Sequence, residues 1–280
     1  MKVAVCLSGL TRAVRFSLPL IKKNLLEPYN GDLFVHHWND ISIGGDSLRF
    51  TDMPQDPIND DYFLSRGACN VKSESFNDLE WDFNCIHKNP MTKRKTTAAM
   101  YYGIYAVNQL KSDQENLTGE KYDIVIRCRP DSFFINKLLD DELTQASRNS
   151  KMVFVGWSGL DHGPKEPRNR FLYEQDQTVP FVSDNFAFGN SEAMNVYADT
   201  YNHILDFRHH CPGTGIDLEG PIPASEICLG FQLRANDIDP QRANYQYKSI
   251  CGWCSTHATA NSWYNTPHTP AADGLIRFEF

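Results

Sequence analysis

Tyr122-Asp-Ile-Val-Ile-Arg-Cys-Arg-Pro-Asp131 is the stretch whose reading decides the fold. Ile124-Val-Ile126 is a branched apolar run of the kind that forms a strand buried on both faces. Pro130, with no N–H to give to a ladder, ends that strand. Arg127, Arg129 and Asp131 are therefore delivered to its carboxyl end, which is where open α/β sheets hold their ligands. Two guanidiniums and a carboxylate suit a phosphate-bearing ligand and a divalent cation. From these residues alone, an ordinary strand closed by a salt bridge reads equally well.

Working outward, Met1-Lys-Val-Ala-Val-Cys-Leu-Ser-Gly9 is a second short apolar run. Between Arg12 and Leu26, Val14, Leu18, Ile21 and Leu25 recur close to helical spacing. Gly31-Asp-Leu-Phe-Val-His-His-Trp38 then reads as the next strand. Strand, helix and strand within forty residues favour a parallel sheet with right-handed crossovers. Further on, a helix is predicted from Thr92 to Leu110, and strands over Met152–Val155 and Phe181–Gly189. A helix capped by Ser191 should run to Leu205, and another from Pro223-Ala-Ser225 to Arg234. Residues 39–92 offer no convincing long element, and so long a segment points to a lid-like or functional role; residues 161–178 read as a charged loop. The expected fold is α/β: one domain over residues 1–280, with a mainly parallel central sheet flanked by helices and a C-terminal extension from residue 241.

Composition narrows the function. The chain has 280 residues, 41% of them hydrophobic and 12% aromatic, enough for a sizeable core. A net charge of −8 argues against a broad nucleic-acid surface, while leaving room for a local basic pocket. No apolar run approaches the roughly 20 residues needed to span a bilayer. The apolar start is followed by Arg12 and Arg15 where a signal peptide would carry its cleavage region, so a cytosolic protein is expected, and the sequon Asn116-Leu-Thr118 reads as a chance match. Cys6, Cys128 and Cys228 read as buried hydrophobes. Cys251-Gly-Trp-Cys254 is the only CxxC among the eight cysteines, without the second pair of a zinc ribbon.

A second constellation lies in Leu7-Ser-Gly-Leu-Thr-Arg-Ala-Val-Arg15. Gly9 permits a tight turn, the following helix start offers N–H groups to an anion, and Arg12 adds charge. This is neither a GxGxxG fingerprint nor a P-loop. In a parallel sheet Ser8, Gly9, Arg12, Arg127, Arg129 and Asp131 share one edge and can converge on a diphosphate.

The segments "VAVCLSGLTR", "GDLFVHHW", "YDIVIRCRPD", "SDNFAFGNSEAM" and "PASEICLGFQL", taken in order, resemble small nucleotide-sugar-dependent glycosyltransferases of the GT-A (Rossmann-like) fold. Such enzymes occur in bacterial surface-polysaccharide loci and in large algal viruses that glycosylate their own capsids. The resemblance covers residues 1–240. It implies a nucleotide-sugar-binding half over 1–130, an acceptor and catalytic half over 131–240, and a UDP-linked donor. A glycan or glycoprotein acceptor is also implied. The viral branch points to xylose as the sugar and to the host cytoplasm as the compartment. The family's metal-binding DxD maps onto Arg129-Pro130-Asp131, so Asp131 matches the second carboxylate while arginine replaces the first. The resemblance implies Mn²⁺ or Mg²⁺ on Asp131, with a C-terminal histidine, His257 or His268, beside it. It further implies a base at Glu226 or, as runner-up, Asp184. Arg12 with Ser8-Gly9 would hold the nucleotide or diphosphate, and Arg127 and Arg129 would orient it. Trp157, Tyr173, Trp253 and Trp263 are candidate sugar platforms, though core packing would explain aromatics equally well. The rivals are a nucleotidyltransferase or phosphohydrolase using the same pocket, and a non-catalytic glycan-binding module.

Overall fold

The apolar runs pair side by side in the middle of one seven-stranded sheet. The computed structural model describes residues 1–11, 14–39, 58–76, 78–79, 93–134, 136–156, 172–174, 177–179, 182–204, 206, 225–244 and 247–249. In chain order the elements are β1 (Val3–Gly9), α1 (Val14–Ile21), β2 (Asp32–Trp38), α2 (Asp60–Leu64), β3 (Ala68–Glu74), α3 (Lys93–Thr118), β4 (Ile124–Cys128), β5 (Ser132–Phe134) and α4 (Asp140–Arg148). There follow β6 (Met152–Val155), β7 (Leu172–Glu174), β8 (Gln177–Val179), β9 (Phe186–Gly189), α5 (Ser191–Ala198), α6 (Thr200–His203), α7 (Ser225–Ala235), β10 (Asp239–Arg242) and β11 (Tyr247–Ser249). The strand order is β10-β6-β9-β4-β1-β2-β3, with small separate pairs β11-β5 and β7-β8. β9 alone runs antiparallel to its neighbours β4 and β6; every other pairing in the large sheet is parallel. The α/β class and the mainly parallel sheet are thus as predicted.

Each face of the sheet is covered by its own helices. Val3, Val5, Leu7, Leu33, Val35, Ile124 and Ile126 face α1, α2 and α4 through Val14, Leu18, Phe63, Leu143 and Ala146. Ala4, Cys6, Phe34, Val125 and Ala187 face α3, α5 and α7 through Tyr101, Ile104, Val107, Met194, Tyr197, Cys228 and Leu229. A fully buried Val, Leu, Ile or Phe is worth about 1.5–3 kcal/mol. An exposed pair such as Lys2–Glu120 is worth under about 1 kcal/mol. The two apolar layers therefore hold the sheet. Among the described residues no helix is long and apolar enough to cross a membrane.

Several expectations need correction. The segment 39–92 contains α2 and the edge strand β3, paired along β2 from Ala68 to Glu74. The sequence Ala-Cys-Asn-Val-Lys-Ser-Glu hides it, because an edge strand keeps much of its surface in water and needs no apolar run. The helix predicted from Arg12 to Leu26 gives way at Ile21 to a π-helical turn over Lys22–Leu26; Pro19, which can donate no backbone hydrogen bond, precedes the change. The strand predicted from Phe181 begins only at Phe186, after a bend at Asp184 and Asn185. Asn190, not Ser191, caps α5, its Oδ1 accepting from the Ala193 N–H at 2.9 Å, and the helix breaks at Asp199 into α5 and α6. Part of the loop predicted over 161–178 is the hairpin β7-β8. At the other end, β10 joins the main sheet and β11 pairs with β5 across the position where the C-terminal extension was placed.

α3 extends to Thr118 rather than stopping at Leu110. Its last turns look exposed in sequence, yet Lys111 and Glu115 are buried. Lys111 Nζ donates to Glu115 Oε2 at 3.0 Å, Ser191 Oγ at 2.8 Å and Asn195 Oδ1 at 2.8 Å, while Glu115 Oε1 accepts from the Tyr122 N–H at 2.9 Å. One buried cation so ties α3 to the start of α5 and to the segment entering β4. Burial pulls the Lys111 ammonium below its usual value, against the Glu115 contacts that raise it. Breaking such a pair strands a charge in the core, so Lys111→Ala should lower unfolding stability by about 3–5 kcal/mol in urea titration.

Candidate functional site

β1 and β4 lie side by side with Cys6 opposite Arg127 and Leu7 opposite Cys128, and Ser8 and Gly9 stand opposite His36 and His37 of β2. From β1 the chain builds outward through β2 and β3, then returns to place β4 on the other side of β1. The carboxyl ends of β1 and β4 therefore flank a topological switch point, where the strand order leaves a crevice. Gly9 has φ +136°, and a Cβ there would meet Pro130 Cδ at 3.2 Å. The positive φ favours glycine, and the close approach of Pro130 leaves little space for a side chain. Ser17 Oγ, buried in α1, donates to the Pro130 carbonyl and fastens the helix start to the end of β4. Of the predicted site residues, Ser8, Gly9, Arg127, Arg129, Asp131 and Asp184 are brought to this one edge.

Arg127 is the unusual member. It is 2% exposed, and its Nη1 donates to the main-chain carbonyl of Asp184, while its Nε has no hydrogen-bond partner. Among the described residues it forms no ion pair. An unpaired buried charge costs several kcal/mol, so this guanidinium calls for an anion. Ser8 Oγ, Ser132 Oγ and Ser183 Oγ, on the segments that end at the same edge, are likewise buried without partners. Unsatisfied polar atoms are few in folded proteins and point to a missing ligand or water. The antiparallel direction of β9 brings the Asp184–Asn185 bend to this edge. The described hydrogen bonds do not engage the Asp184 carboxylate, and the residue is 6% exposed.

Arg129 and Asp131 form a fork. Arg129 Nε donates to Oδ1 at 2.7 Å and Nη2 to Oδ2 at 2.6 Å, while Nη1 reaches Asn185 Oδ1 at 3.2 Å. The turn at Pro130 folds residue 129 back over residue 131. Both oxygens of Asp131, 1% exposed, are thus held by a guanidinium in the position a chelated Mn²⁺ or Mg²⁺ would take. In this arrangement Asp131 does not fit a metal ion, and among the described residues no three His, Cys, Asp or Glu side chains gather as metal ligands. His257 and His268 lie outside the described residues.

His36 and His37 could be read from sequence as lining a donor pocket or as strand-end packing, but their partners on β3 and α2 could not. His36 Nε2 meets Glu74 Oε2 at 3.0 Å, Tyr102 donates to Glu74 Oε1 at 2.9 Å, and Lys72 Nζ lies 3.1 Å from Oε2. Trp38 and Tyr102 pack beside the His36 ring, and Tyr201 beside Tyr102. Gly103 of α3 lets the helix settle on His36: a Cβ there would lie 3.2 Å from Nδ1. Burial lowers the His36 pKa and favours the neutral ring. His37 meets Asp60 at 2.9 Å. These histidines serve strand-end packing. Glu74, in a segment that carries no apolar pattern, left no trace in sequence.

The remaining expectations cannot be placed side chain by side chain. Glu226 is the second residue of α7, and its side chain, like Tyr173's, lies outside the description. Arg12, Trp157, Cys251, Cys254, Trp253 and Trp263 lie outside the described residues. Cys6, Cys128 and Cys228 are buried, with burial pushing the Cys6 and Cys128 thiols up to about 12, too high for a reactive thiolate. Compared with models of known protein families and with curated proteins, the chain matches none.

Glu74 makes the edge pH-sensitive. Burial alone would raise its pKa, but the hydrogen bonds from His36, Lys72 and Tyr102 outweigh that and hold the carboxyl down at about 2, against 4.5 for the free group. A carboxylate whose folded pKa is depressed adds stability above its unfolded pKa and loses it as pH falls towards the folded one. The stability gap between wild type and Glu74→Gln should be full at pH 7 and close between about pH 4.5 and 2, read by thermal melts across pH.

Proposed function

We propose that this protein is a glycosyltransferase that moves a sugar from a nucleoside-diphosphate donor, UDP-linked in the first instance, onto a hydroxyl of a glycan. The buried, unpaired Arg127 at the β1–β4 switch point is the observation that carries this reading. The unpartnered hydroxyl of Ser8 would donate to a diphosphate oxygen. Arg127 would meet the charge that grows on the diphosphate as it leaves.

In the transfer, the bond between the sugar anomeric carbon and the diphosphate oxygen breaks, its electron pair going to the diphosphate. An acceptor oxygen forms the new bond to that carbon from the opposite face, and its proton passes to a carboxylate. Asp184 is the candidate base at the described edge, and Glu226, in the first turn of α7, is the candidate that the family resemblance supports. The sequence likeness to the viral branch favours xylose as the sugar. A nucleotidyltransferase is the weaker reading, since Asp123, the nearest further carboxylate on the strand, lies at the opposite end of β4 and hydrogen-bonds the Lys2 N–H at 2.6 Å.

The test is a panel of UDP-, GDP- and dTDP-sugars, read by thermal stabilisation and by release of nucleoside diphosphate. A donor at 100 times its dissociation constant should stabilise the protein by about 2.7 kcal/mol, and mass analysis should find the sugar on a glycan acceptor. Stabilisation with no turnover would point to a binding module. Nucleotide monophosphate attached to the product would point to nucleotidyl transfer, and no shift with any donor would overturn the proposal.

A further inference from the structure

Asp131 and Arg129 are joined by two short, parallel, charge-assisted hydrogen bonds, the strongest geometry this pair of groups can adopt. Only Pro130 separates them, so the fork is short and rigid, and Asn185 pins its third nitrogen. One guanidinium thus faces both oxygens of one carboxylate. Arg127, one residue before Cys128 on the same strand, then remains as a buried cation without a carboxylate partner among the described residues. A divalent ion on Asp131 would have to expel Arg129 from the carboxylate. Each carboxylate oxygen would lose a short charge-assisted hydrogen bond in the exchange.

We infer that this site binds the diphosphate of its ligand without a divalent metal ion, with Arg129 acting as the permanent counter-cation of Asp131 and Arg127 meeting the anion. The identity of the anion rests on the transferase reading; the arginine-only character of the site does not. Arg127 is here a ligand-binding residue, and Arg129 a positioning residue that keeps Asp131 from recruiting a metal.

The experiment is titration calorimetry of the full chain with inorganic pyrophosphate, once in EDTA and once with Mn²⁺. The expected dissociation constants agree within about twofold, and Arg127→Gln weakens binding in EDTA by at least about tenfold, the loss of one charge-assisted contact. Arg129→Gln bares the Asp131 carboxylate, so its pyrophosphate binding should become Mn²⁺-dependent where that of the wild type is not. If that variant does not fold, the wild-type comparison decides alone. Binding that requires Mn²⁺ in the wild type, or no binding in either buffer, would overturn the inference. Metal-free pyrophosphate binding by a protein that consumes no sugar nucleotide would support it while sinking the transferase reading.

Discussion

Cys6 opposite Arg127 and Leu7 opposite Cys128 is the pairing on which the site depends, because side chains alternate between the two faces of a strand. A slip of one residue would turn Arg127 into the layer occupied by Ile124, Ile126 and Cys128 and bring Cys128 to the polar side. The register is held by burial on both faces of β1 and β4 rather than by any contact at the edge itself. The polar groups at the edge are consequences of the apolar run below them: the core sets the register, and the register aims the arginine.

Charge is treated differently on the two sides of the crevice. Along β2 and β3, every buried ionisable group has found a partner: His36 with Glu74, His37 with Asp60. Within α3, Lys111 has Glu115. Arg129 and Asp131 satisfy each other. Arg127 stands apart from this pattern, as do the serine hydroxyls around it. A buried cation with no ion pair among the described residues, set at a switch point among unpartnered hydroxyls, has a place for an anion. Burial favours the neutral form of the His36 ring, which is packed beneath α3 at Gly103.

The centre of this fold was legible in the sequence and its margins were not. Ile124-Val-Ile126, the N-terminal run and Leu33-Phe-Val35 announce themselves because strands buried on both faces must be apolar throughout. β3 and β10 sit at the sheet's edges, where Asn70, Lys72 and Gln241 are tolerated, so no periodicity marks them. Arg127, Arg129 and Asp131 were recognisable as a group because a proline follows directly on a buried strand. Their division of labour was not, since spacing alone does not tell a fork between residues 129 and 131 from a carboxylate open to metal. Lys111 and Glu115 were hidden for a related reason: a buried ion pair at helical i, i+4 spacing looks, in sequence, like a solvated one.

The unpaired state of Arg127 is the central claim, and chemical denaturation of Arg127→Met in anion-free buffer tests it most directly. A cation with no counter-charge weakens the empty protein, so its replacement by an apolar side chain of similar length should leave stability unchanged or raise it by about 1–4 kcal/mol. The same variant should lose the stabilisation that pyrophosphate gives the wild type. A fall of about 3–5 kcal/mol in the empty variant, the signature of breaking a compensated buried pair, would contradict the account: Arg127 would then be a structural residue whose charge is already met within the protein.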